Sequence, residues 1–329
     1  MYTRQLVISS ARMNLCSRLF MRTLHNKPKE ADLTSEVEIP MPWGKINGKF
    51  WGSQDKQPIL AMHGWQDNAA SYNLLAPLIA KNTPVLSIDL PGHGLSSWLP
   101  PGSIYTEVVY LASIKRVMKY FGWKKVKLMA HSLSSMTSYW FTATFPKEVQ
   151  YVICLDFFKF PSLDANYYAD ALGKAINSLI KLEESTNSQL SYSEAEIKRK
   201  WLGGIANIDD ASCDILMTRG VRQKEDGTYV INRDPRLRIT PIHTLFSKEH
   251  LETFAKLIKC PYLVIKGGES FYVEPKEDYH NALRIMKEHN KDVFYEELPG
   301  GKHHFHITHA EHTAVIINRF LEKYDVESD

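Results

Sequence analysis

Short apolar runs alternate with amphipathic stretches along most of this chain, and the alternation predicts its fold class. Runs of this kind are typical of strands buried on both faces of a sheet, and the stretches between them have the period of helices. Strands and helices that alternate in this way form βαβ units, which build an α/β fold with a mostly parallel central sheet and helices on both faces. The runs are residues 58–62, 84–88, 126–130, 151–155 and 260–265, and the main helical stretches are residues 70–80, 107–121, 136–145, 275–289 and 308–324.

Two further segments do not follow this alternation. Residues 36–39 and 43–52 precede the first buried run and predict two strands joined by a turn. Residues 157–258 lack buried-strand runs, are mainly helical in pattern and carry many aromatic side chains. We interpret this segment as a helical cap that is inserted between two parts of one α/β core, residues 35–156 and 259–329, and that covers the carboxyl ends of the strands.

Composition and charge exclude several classes of function. The chain has 329 residues with 40 basic and 37 acidic side chains, and this balance gives no positive surface for nucleic acid. No apolar run approaches the roughly 18 residues of a membrane span, so we expect a soluble protein with no stable membrane insertion. The four cysteines are widely scattered and form no C-x-x-C pair, which favours buried thiols in a reducing, intracellular compartment.

The start of the chain has a composition of its own. Residues 1–29 contain no Asp or Glu, but they contain several Arg and Lys with Ser and Thr between them. An Arg-rich, acid-free amphipathic start is typical of a mitochondrial transit peptide. The alternative is a flexible tail without a targeting signal. We therefore expect residues 1–34 to be a flexible segment of a mitochondrial or cytoplasmic protein.

Polar residues stand at the carboxyl ends of four predicted strands, where the active sites of parallel sheets lie. Ser132 follows one of these strands and is itself followed at once by a helical pattern. A serine in such a strand–turn–helix element is held in a strained conformation that exposes its hydroxyl, as a nucleophile requires. The alternative is a structural serine that caps the helix. The four residues are His63, Asp89, Ser132 and Asp156.

The order of the motifs in this chain is similar to that of the α/β-hydrolase superfamily. An oxyanion-type loop, a glycine-rich loop, a serine elbow and a histidine loop follow one another as they do in that fold. Shorter strings resemble the animal serine hydrolase-like (kraken-like) proteins, and the resemblance covers residues 36–322. The superfamily motifs are His63–Trp65, Asp89–Gly94, Ala130–Ser134 and Pro299–His303, and the shorter strings are Met41–Gly44, His63–Ala69 and Asn232–Leu237.

The resemblance implies a role for several of these residues. In the superfamily the catalytic histidine follows a glycine-rich turn, which selects His303, with His304 as the fallback and His306 as a second histidine. The oxyanion hole would be formed by the backbone N–H groups of Trp65 and Leu133. The run of histidines has no Cys and no carboxylate shell nearby, so we expect no metal site and no cofactor.

The acid that should orient His303 is missing from its usual place. The superfamily register puts Ser270 where an aspartate is expected, and serine carries no charge. Asp156, at the end of the preceding core strand, is our preferred substitute, and Glu269 is the alternative. A site without a working acid is the third hypothesis, because loss of this carboxylate is costly but not always fatal.

The residues and the resemblance together imply a serine hydrolase. Ser132 would attack the carbonyl of an ester or thioester with a mostly apolar acyl or aryl group, assisted by His303 and Asp156. The serine argues against the epoxide hydrolases and dehalogenases of this fold, which use aspartate as the nucleophile. A non-catalytic binding protein on the same scaffold and a carbon–carbon bond hydrolase with the same triad are the alternatives.

Overall fold

The computed structural model describes residues 34–162, 164–185, 190–202, 208–239 and 246–326. The predicted transit peptide at residues 1–29 lies outside this part of the chain. The strands are β1 (Thr34–Met41), β2 (Gly44–Trp51), β3 (Ile59–Met62), β4 (Val85–Ile88), β5 (Val126–His131), β6 (Val149–Leu155), β7 (Ser191–Tyr192), β8 (Val221–Gln223), β9 (Tyr229–Ile231), β10 (Tyr262–Gly267) and β11 (Val293–Leu298). The helices are α1 (Ala76–Ile79), α2 (Glu107–Phe121), α3 (Leu133–Thr144), α4 (Ala165–Glu184), α5 (Glu194–Leu202), α6 (Asp210–Gly220), α7 (Lys248–Leu257), α8 (Lys276–His289), α9 (Phe305–Thr308) and α10 (Ala310–Tyr324).

The strands of the core form one eight-stranded sheet in the order β1-β2-β4-β3-β5-β6-β10-β11. β1 pairs antiparallel with β2, and β2 pairs antiparallel with β4. All neighbouring pairs from β4 to β11 are parallel, which confirms the predicted mostly parallel sheet. The chain order reverses between β3 and β5, and such a reversal is where open α/β sheets bind their ligands.

Helices cover both faces of this sheet. Successive side chains of a strand point to opposite faces. Leu128 and Val264 lie in the apolar cluster that includes residues of α2, α3, α7 and α8. Met129 and Ile265 lie in the cluster of the other face, which includes residues of α1 and α10. Because both faces are covered, the central strands are apolar throughout, as their uninterrupted runs predict.

The register of the parallel strands brings three candidate residues to one edge of the sheet. β3, β5 and β6 are consecutive neighbours, and their paired residues extend to their carboxyl ends. The residues that directly follow these three strands are His63, Ser132 and Asp156. The candidates therefore emerge side by side, although they are far apart in the sequence.

The inserted segment differs from the predicted helical cap because it also contains strands. The described residues of 157–258 include α4, α5, α6 and α7 together with a three-stranded sheet in the order β7-β9-β8. β8 and β9 form a hairpin whose turn contains Gly227 at φ 80°. The β-branched and aromatic side chains of Tyr229–Ile231 favour a strand, but this run is too short for a periodic pattern to be recognised.

The end of the segment that we assigned to the cap packs as part of the core. Phe246, Leu251 and Ala255 are buried in the same apolar cluster as the strands of the large sheet. The hydroxyl of Tyr139 in α3 donates to the carbonyl of Leu251 at 2.5 Å. Helix α7 is therefore attached to the α/β core, although it precedes residue 258.

The helix predicted over residues 70–80 is replaced by a 3₁₀ helix at Ala69–Tyr72 and by the short helix α1. The physical reason is Pro77, because it has no N–H to donate and cannot continue a helix through the preceding turn. Asn68 begins the 3₁₀ helix by accepting a hydrogen bond from the N–H of Ala70 at 3.0 Å.

None of the described helices combines the length and the apolar character needed to cross a membrane. The cysteines in the described ranges, Cys154, Cys213 and Cys260, are free and buried. Burial raises the pKa of the Cys213 thiol to about 11 and the pKa values of the other two thiols to about 12. These thiols therefore stay protonated at neutral pH.

Candidate active site

Ser132 occupies a tight turn between β5 and α3. Its backbone has φ 54° and ψ −117°, a conformation that residues other than glycine rarely adopt. The Ser132 N–H donates to the carbonyl of Leu155 at 3.1 Å, and the Ser132 carbonyl accepts from the N–H of Ser135 at 3.0 Å. The strained conformation is thus held by β6 on one side and by the first turn of α3 on the other.

Ala130 and Ser134 stand where this type of elbow usually has glycines, and both are buried. The Ser134 hydroxyl donates to the carbonyl of His63 at 2.5 Å, and the Ser135 hydroxyl donates to the carbonyl of Ala130 at 2.6 Å. Ser134 therefore ties the elbow helix to the loop after β3, which is a contact that glycine cannot make.

His303 is hydrogen-bonded to Asp156. Both side chains are buried, and Nδ1 of His303 lies 2.6 Å from Oδ2 of Asp156. The bond leaves Nε2 as the ring nitrogen that can exchange a proton with a nucleophile. Nε2 of His131, the residue before Ser132, donates to the carbonyl of His303 at 2.9 Å. The ring of His303 is thus anchored to the acid, and its main chain is anchored to the elbow.

Three further groups hold the Asp156 carboxylate. Oδ2 accepts from the Ser270 hydroxyl at 2.7 Å, while Oδ1 accepts from Nζ of Lys266 at 2.7 Å and from the Gly267 N–H at 3.2 Å. Burial raises the pKa of Asp156, but the hydrogen bond from His303 and the charges of His303 and Lys266 outweigh burial and hold this pKa below its usual range. Asp156 is therefore ionised at neutral pH.

Burial sets the protonation state of His303. It lowers the pKa of the ring below its usual value, even though the hydrogen bond to Asp156 raises this pKa. The neighbouring His304 adds to the lowering. The ring is therefore neutral at pH 7, with its hydrogen on Nδ1 and a lone pair on Nε2, which is the form that a general base requires.

The structure brings Asp156 to His303 and does not bring Glu269 there. Glu269 is exposed, its N–H donates to the carbonyl of Gly301 at 2.9 Å, and in the described residues no hydrogen bond joins its carboxylate to His303. Ser270 occupies the usual position of the acid, and its hydroxyl donates a hydrogen bond to the carboxylate of Asp156. The sequence analysis did not predict the contact of Lys266 with Asp156. The one sequence feature that indicates a special role for Lys266 is its position directly after a buried apolar run.

The two backbone groups expected to form an oxyanion hole lie on elements that meet at the elbow. Leu133 is the first residue of α3, so its N–H has no carbonyl acceptor within the helix. Trp65 follows Gly64, where a Cβ atom would lie 2.8 Å from Nδ1 of His131. A residue larger than glycine at position 64 would therefore push the loop away from the elbow.

Two of the polar residues at the strand ends brace loops. Nε2 of His63 accepts from the N–H of Leu90 at 3.0 Å, and its Nδ1 donates to the carbonyl of Gly64 at 2.7 Å. Oδ1 of Asp89 accepts from the N–H of Ala69 at 2.7 Å. Both side chains are thus committed to fixing the loops after β3 and β4.

A cluster of buried histidines lies next to the elbow around Asp67. Nε2 of His304 lies 3.0 Å and Nδ1 of His131 lies 3.5 Å from the same oxygen of Asp67, Oδ2. Burial raises the pKa of Asp67, but the charge of His304 and its hydrogen bond to this carboxylate hold the pKa well below its usual range. The ring of His306 packs 4.2 Å from that of His131, and burial lowers the pKa of His306 well below its usual value.

In the described ranges the group of side chains that could hold a metal ion is His131, His303 and His304, whose donor atoms lie within 4.8 Å of one another. Each of these rings already uses one nitrogen to bond a carbonyl or carboxylate oxygen of the protein. The expectation of a site without metal or cofactor stays a prediction.

A cleft lies beside the two candidate oxyanion residues. Trp65 and Leu133 line it from the core, and Leu237 and Ile239 line it from the inserted segment. The other walls are mainly apolar and aromatic, with Ile104, Tyr105, Tyr110 and Leu179, and their polar members are Thr106, Glu107 and Arg236. The cleft therefore joins the backbone groups of the elbow to apolar walls.

Comparisons with known proteins agree with this architecture. The family model described as the alpha/beta hydrolase fold matches residues 57–310. The chain is 34% identical over 298 residues to a probable serine hydrolase from Drosophila melanogaster, with 89% of each chain covered. It is 30% identical over 295 residues to a serine hydrolase-like protein from Danio rerio, with 88% of each covered. The solved thioesterase domain from the curacin biosynthetic pathway is similar in fold, with a TM-score of 0.72, 22% identity, and coverage of 87% of this chain and 100% of that chain.

Proposed function

Because this chain belongs to the α/β hydrolase fold family, we propose that it is a serine hydrolase that cleaves an ester or thioester through an acyl-enzyme on Ser132. One observation carries the proposal: the His303 ring lies 2.6 Å from the carboxylate of Asp156, beside an elbow whose serine is held at φ 54°. A strained serine and a buried acid at the ends of adjacent strands, with a neutral histidine bonded to the acid, are the parts that acyl transfer needs.

In the first step of this mechanism, Nε2 of His303 takes the hydroxyl proton of Ser132 while the serine oxygen attacks the carbonyl carbon. The imidazolium that forms keeps its Nδ1–H on Asp156, and the ionised carboxylate stabilises the new positive charge. The lowered pKa of His303 keeps the base in its neutral form before the attack.

The negative charge of the tetrahedral intermediate develops on the carbonyl oxygen. In the proposal the N–H groups of Trp65 and Leu133 donate to this oxygen, and such donors stabilise the transition state more than the ground state. His303 then gives its proton to the leaving alcohol or thiol, and an acyl group remains on Ser132. A water molecule, activated by the same histidine, releases the acid and restores the serine.

The lining of the cleft supports a substrate with a mostly apolar acyl or aryl group. Ile104, Tyr110 and Leu179 offer apolar surface next to the candidate oxyanion residues, and pockets lined in this way bind apolar groups. One solved structure with this fold is named a thioesterase domain. We therefore propose testing thioesters together with oxygen esters.

Labelling by a fluorophosphonate tests the proposed function, because this probe reacts with an activated serine and not with an ordinary one. We expect the wild-type protein to be labelled and the Ser132→Ala variant to be unlabelled. Ser178→Ala, which changes an exposed serine of α4, is the matched control and should be labelled like the wild type.

Other outcomes of this experiment distinguish the alternatives. A wild-type protein that is folded by circular dichroism but is not labelled would favour a non-catalytic binding protein on the same scaffold. A labelled protein that cleaves a β-diketone, but neither p-nitrophenyl esters nor acyl thioesters, would favour the carbon–carbon bond hydrolase.

A further inference from the structure

In the described part of the inserted segment three arginines contact the core, and two of them have carboxylate partners. Arg219 pairs with Asp89 at 2.8 Å, and Arg236 pairs with the carboxylate two residues before it at 2.7 Å. Arg233 differs, because among the described residues its guanidinium makes one hydrogen bond, from Nη1 to the carbonyl of Gln66 at 3.0 Å. A guanidinium has five N–H donors, so most of those of Arg233 are available to a ligand.

Arg233 reaches the loop that carries one of the candidate oxyanion groups. Its acceptor, Gln66, directly follows Trp65 and has a left-handed backbone with φ 66°. The Gln66 N–H donates to Nε2 of His93 at 3.2 Å, and its side-chain amide donates to the carbonyl of Leu237 at 2.9 Å. Trp65 and Leu237 both line the cleft. The guanidinium is therefore fixed on Gln66, the residue that follows Trp65 and bridges two walls of the cleft.

No carboxylate among the described residues forms an ion pair with Arg233. Burial lowers the pKa of Arg233 to about 10, and the like charge of Arg238 adds to the lowering. The negative charge of Asp67 raises the pKa of Arg233, but the Asp67 carboxylate already bonds His304. At neutral pH the guanidinium is still a cation. A partly buried cation without a carboxylate is costly, and a bound anion would remove this cost.

We infer that Arg233 binds a carboxylate of the substrate, so that the substrates are acidic esters or thioesters. The inference rests on the proposed function, because it adds a recognition group to the same cleft. The planar fork of a guanidinium matches the two oxygens of a carboxylate. A carboxylate also balances the single cation, whereas a phosphate dianion would leave a negative charge near Asp67. The apolar walls of the cleft then hold the carbon chain.

Two esters of equal chain length that differ in one charge test this inference. p-Nitrophenyl hydrogen glutarate carries a terminal carboxylate, and methyl p-nitrophenyl glutarate does not. Arg233→Gln should lower kcat/KM for the charged ester by about 10- to 100-fold, the range for a lost hydrogen bond between charged groups, with a much smaller loss for the methyl ester. Arg233→Lys should recover part of this loss, because an ammonium keeps the charge but lacks the fork.

Arg238→Gln is the matched control, because Arg238 is an exposed arginine five residues further along the chain. It should change the rates of both esters by less than about threefold, as is usual for surface substitutions. Equal losses on both esters in Arg233→Gln would overturn the inference. They would mean that Arg233 only holds the loop of Gln66 in place and does not contact the substrate carboxylate. The half-esters of succinate and adipate extend the test to other chain lengths, and no dependence on Arg233 in any of the three would also overturn it.

Glutarate binding to the Ser132→Ala protein separates this inference from the proposed function, because binding needs no chemistry. Calorimetry should show glutarate binding that becomes about tenfold weaker or more when Arg233→Gln is added. Binding that depends on Arg233 in a protein that no fluorophosphonate labels would support the carboxylate site and reject the hydrolase. Labelling of Ser132 with glutarate binding that does not depend on Arg233 would support the hydrolase and reject the site.

Discussion

Two consecutive histidines, His303 and His304, each bond a different buried carboxylate. In one pair, His303 bonds Asp156 through Nδ1 at 2.6 Å. In the other, His304 bonds Asp67 through Nε2 at 3.0 Å. Both carboxylates have a pKa below the usual range, and both histidines are buried. Composition and burial therefore do not distinguish the two pairs, but the ring nitrogen that each pair uses does.

The choice of nitrogen decides what each histidine can do. Nε2 is at the far end of the ring from the main chain, so a histidine bound through Nδ1 presents Nε2 to its surroundings. His303 is bound in this way, and the proposed mechanism uses Nε2 as the base. In His304 the far end is already bonded to Asp67, so this ring can position its neighbours but cannot reach out to a nucleophile. We therefore propose that the first pair takes part in catalysis and that the second pair positions its neighbours.

The largest expected effect separates the two histidines. His303→Gln should lower kcat/KM for p-nitrophenyl butyrate by about 10⁴-fold or more, because losing the base of a serine hydrolase removes the unit that activates the nucleophile. His304→Gln keeps a side-chain amide that can bond Asp67 and should cost about tenfold or less. Steady-state rates of both variants, measured next to their thermal melting curves, check this prediction.

The reverse order of losses would reject the assignment. If His304→Gln were inactive and folded while His303→Gln kept its activity, His304, the fallback of the sequence analysis, would be the base. Comparable losses in both variants with intact melting curves would mean that the two histidines act as one unit.

The second prediction separates the two carboxylates. Asp156→Asn should lower kcat by about 10²- to 10⁴-fold, because an amide cannot stabilise the imidazolium and favours the wrong tautomer. Asp67→Asn should cost less in kcat and more in melting temperature, because it leaves a buried histidine cluster without its anion. Glu269→Gln is the control, since Glu269 is an exposed carboxylate, and it should be nearly neutral.

The pH dependence of these variants sharpens the comparison. Burial lowers the pKa of His303, so kcat/KM of the wild type should stay on its plateau to below about pH 6.5, the usual pKa of histidine, and fall as the ring becomes protonated. Asp156 raises this pKa and Asp67 raises it less. The fall of kcat/KM at acidic pH should therefore move to lower pH in Asp156→Asn and should move less in Asp67→Asn. An equal shift in both would contradict the assignment.

The sequence predicts the fold and part of the site for identifiable reasons. The uninterrupted apolar runs predict central strands, and their pairing confirms the mostly parallel sheet. The motif order predicts the α/β-hydrolase fold and the likeness to serine hydrolase-like proteins, and both are confirmed by the comparisons. The strained turn at Ser132 is predictable because a strand, a tight turn and a helix are contiguous in the chain.

The remaining features depend on contacts between distant segments. Asp156 and Glu269 both follow buried strands, and pattern alone does not decide which of them meets His303. The bond of Lys266 to Asp156 depends on the pairing of β6 with β10, which lie about a hundred residues apart in the chain. Packing also decides which ring nitrogen of a histidine bonds the carboxylate. The sequence does not encode this choice locally, because the residue type is the same in both cases.

The smallest predicted effect concerns Ser270, which donates to the same Asp156 oxygen that bonds His303. Ser270→Ala removes this donor, but Lys266 and the Gly267 N–H still hold the other oxygen. We therefore expect kcat to fall by about 3- to 10-fold with KM unchanged, since one neutral donor to a charged acceptor is lost while the acid remains. Separate measurement of kcat and KM, with Ser270→Thr as the variant that keeps the hydroxyl, checks this expectation. A loss as large as that of Asp156→Asn would mean that the hydroxyl is essential for the orientation of Asp156. No loss would mean that the lysine and the backbone suffice.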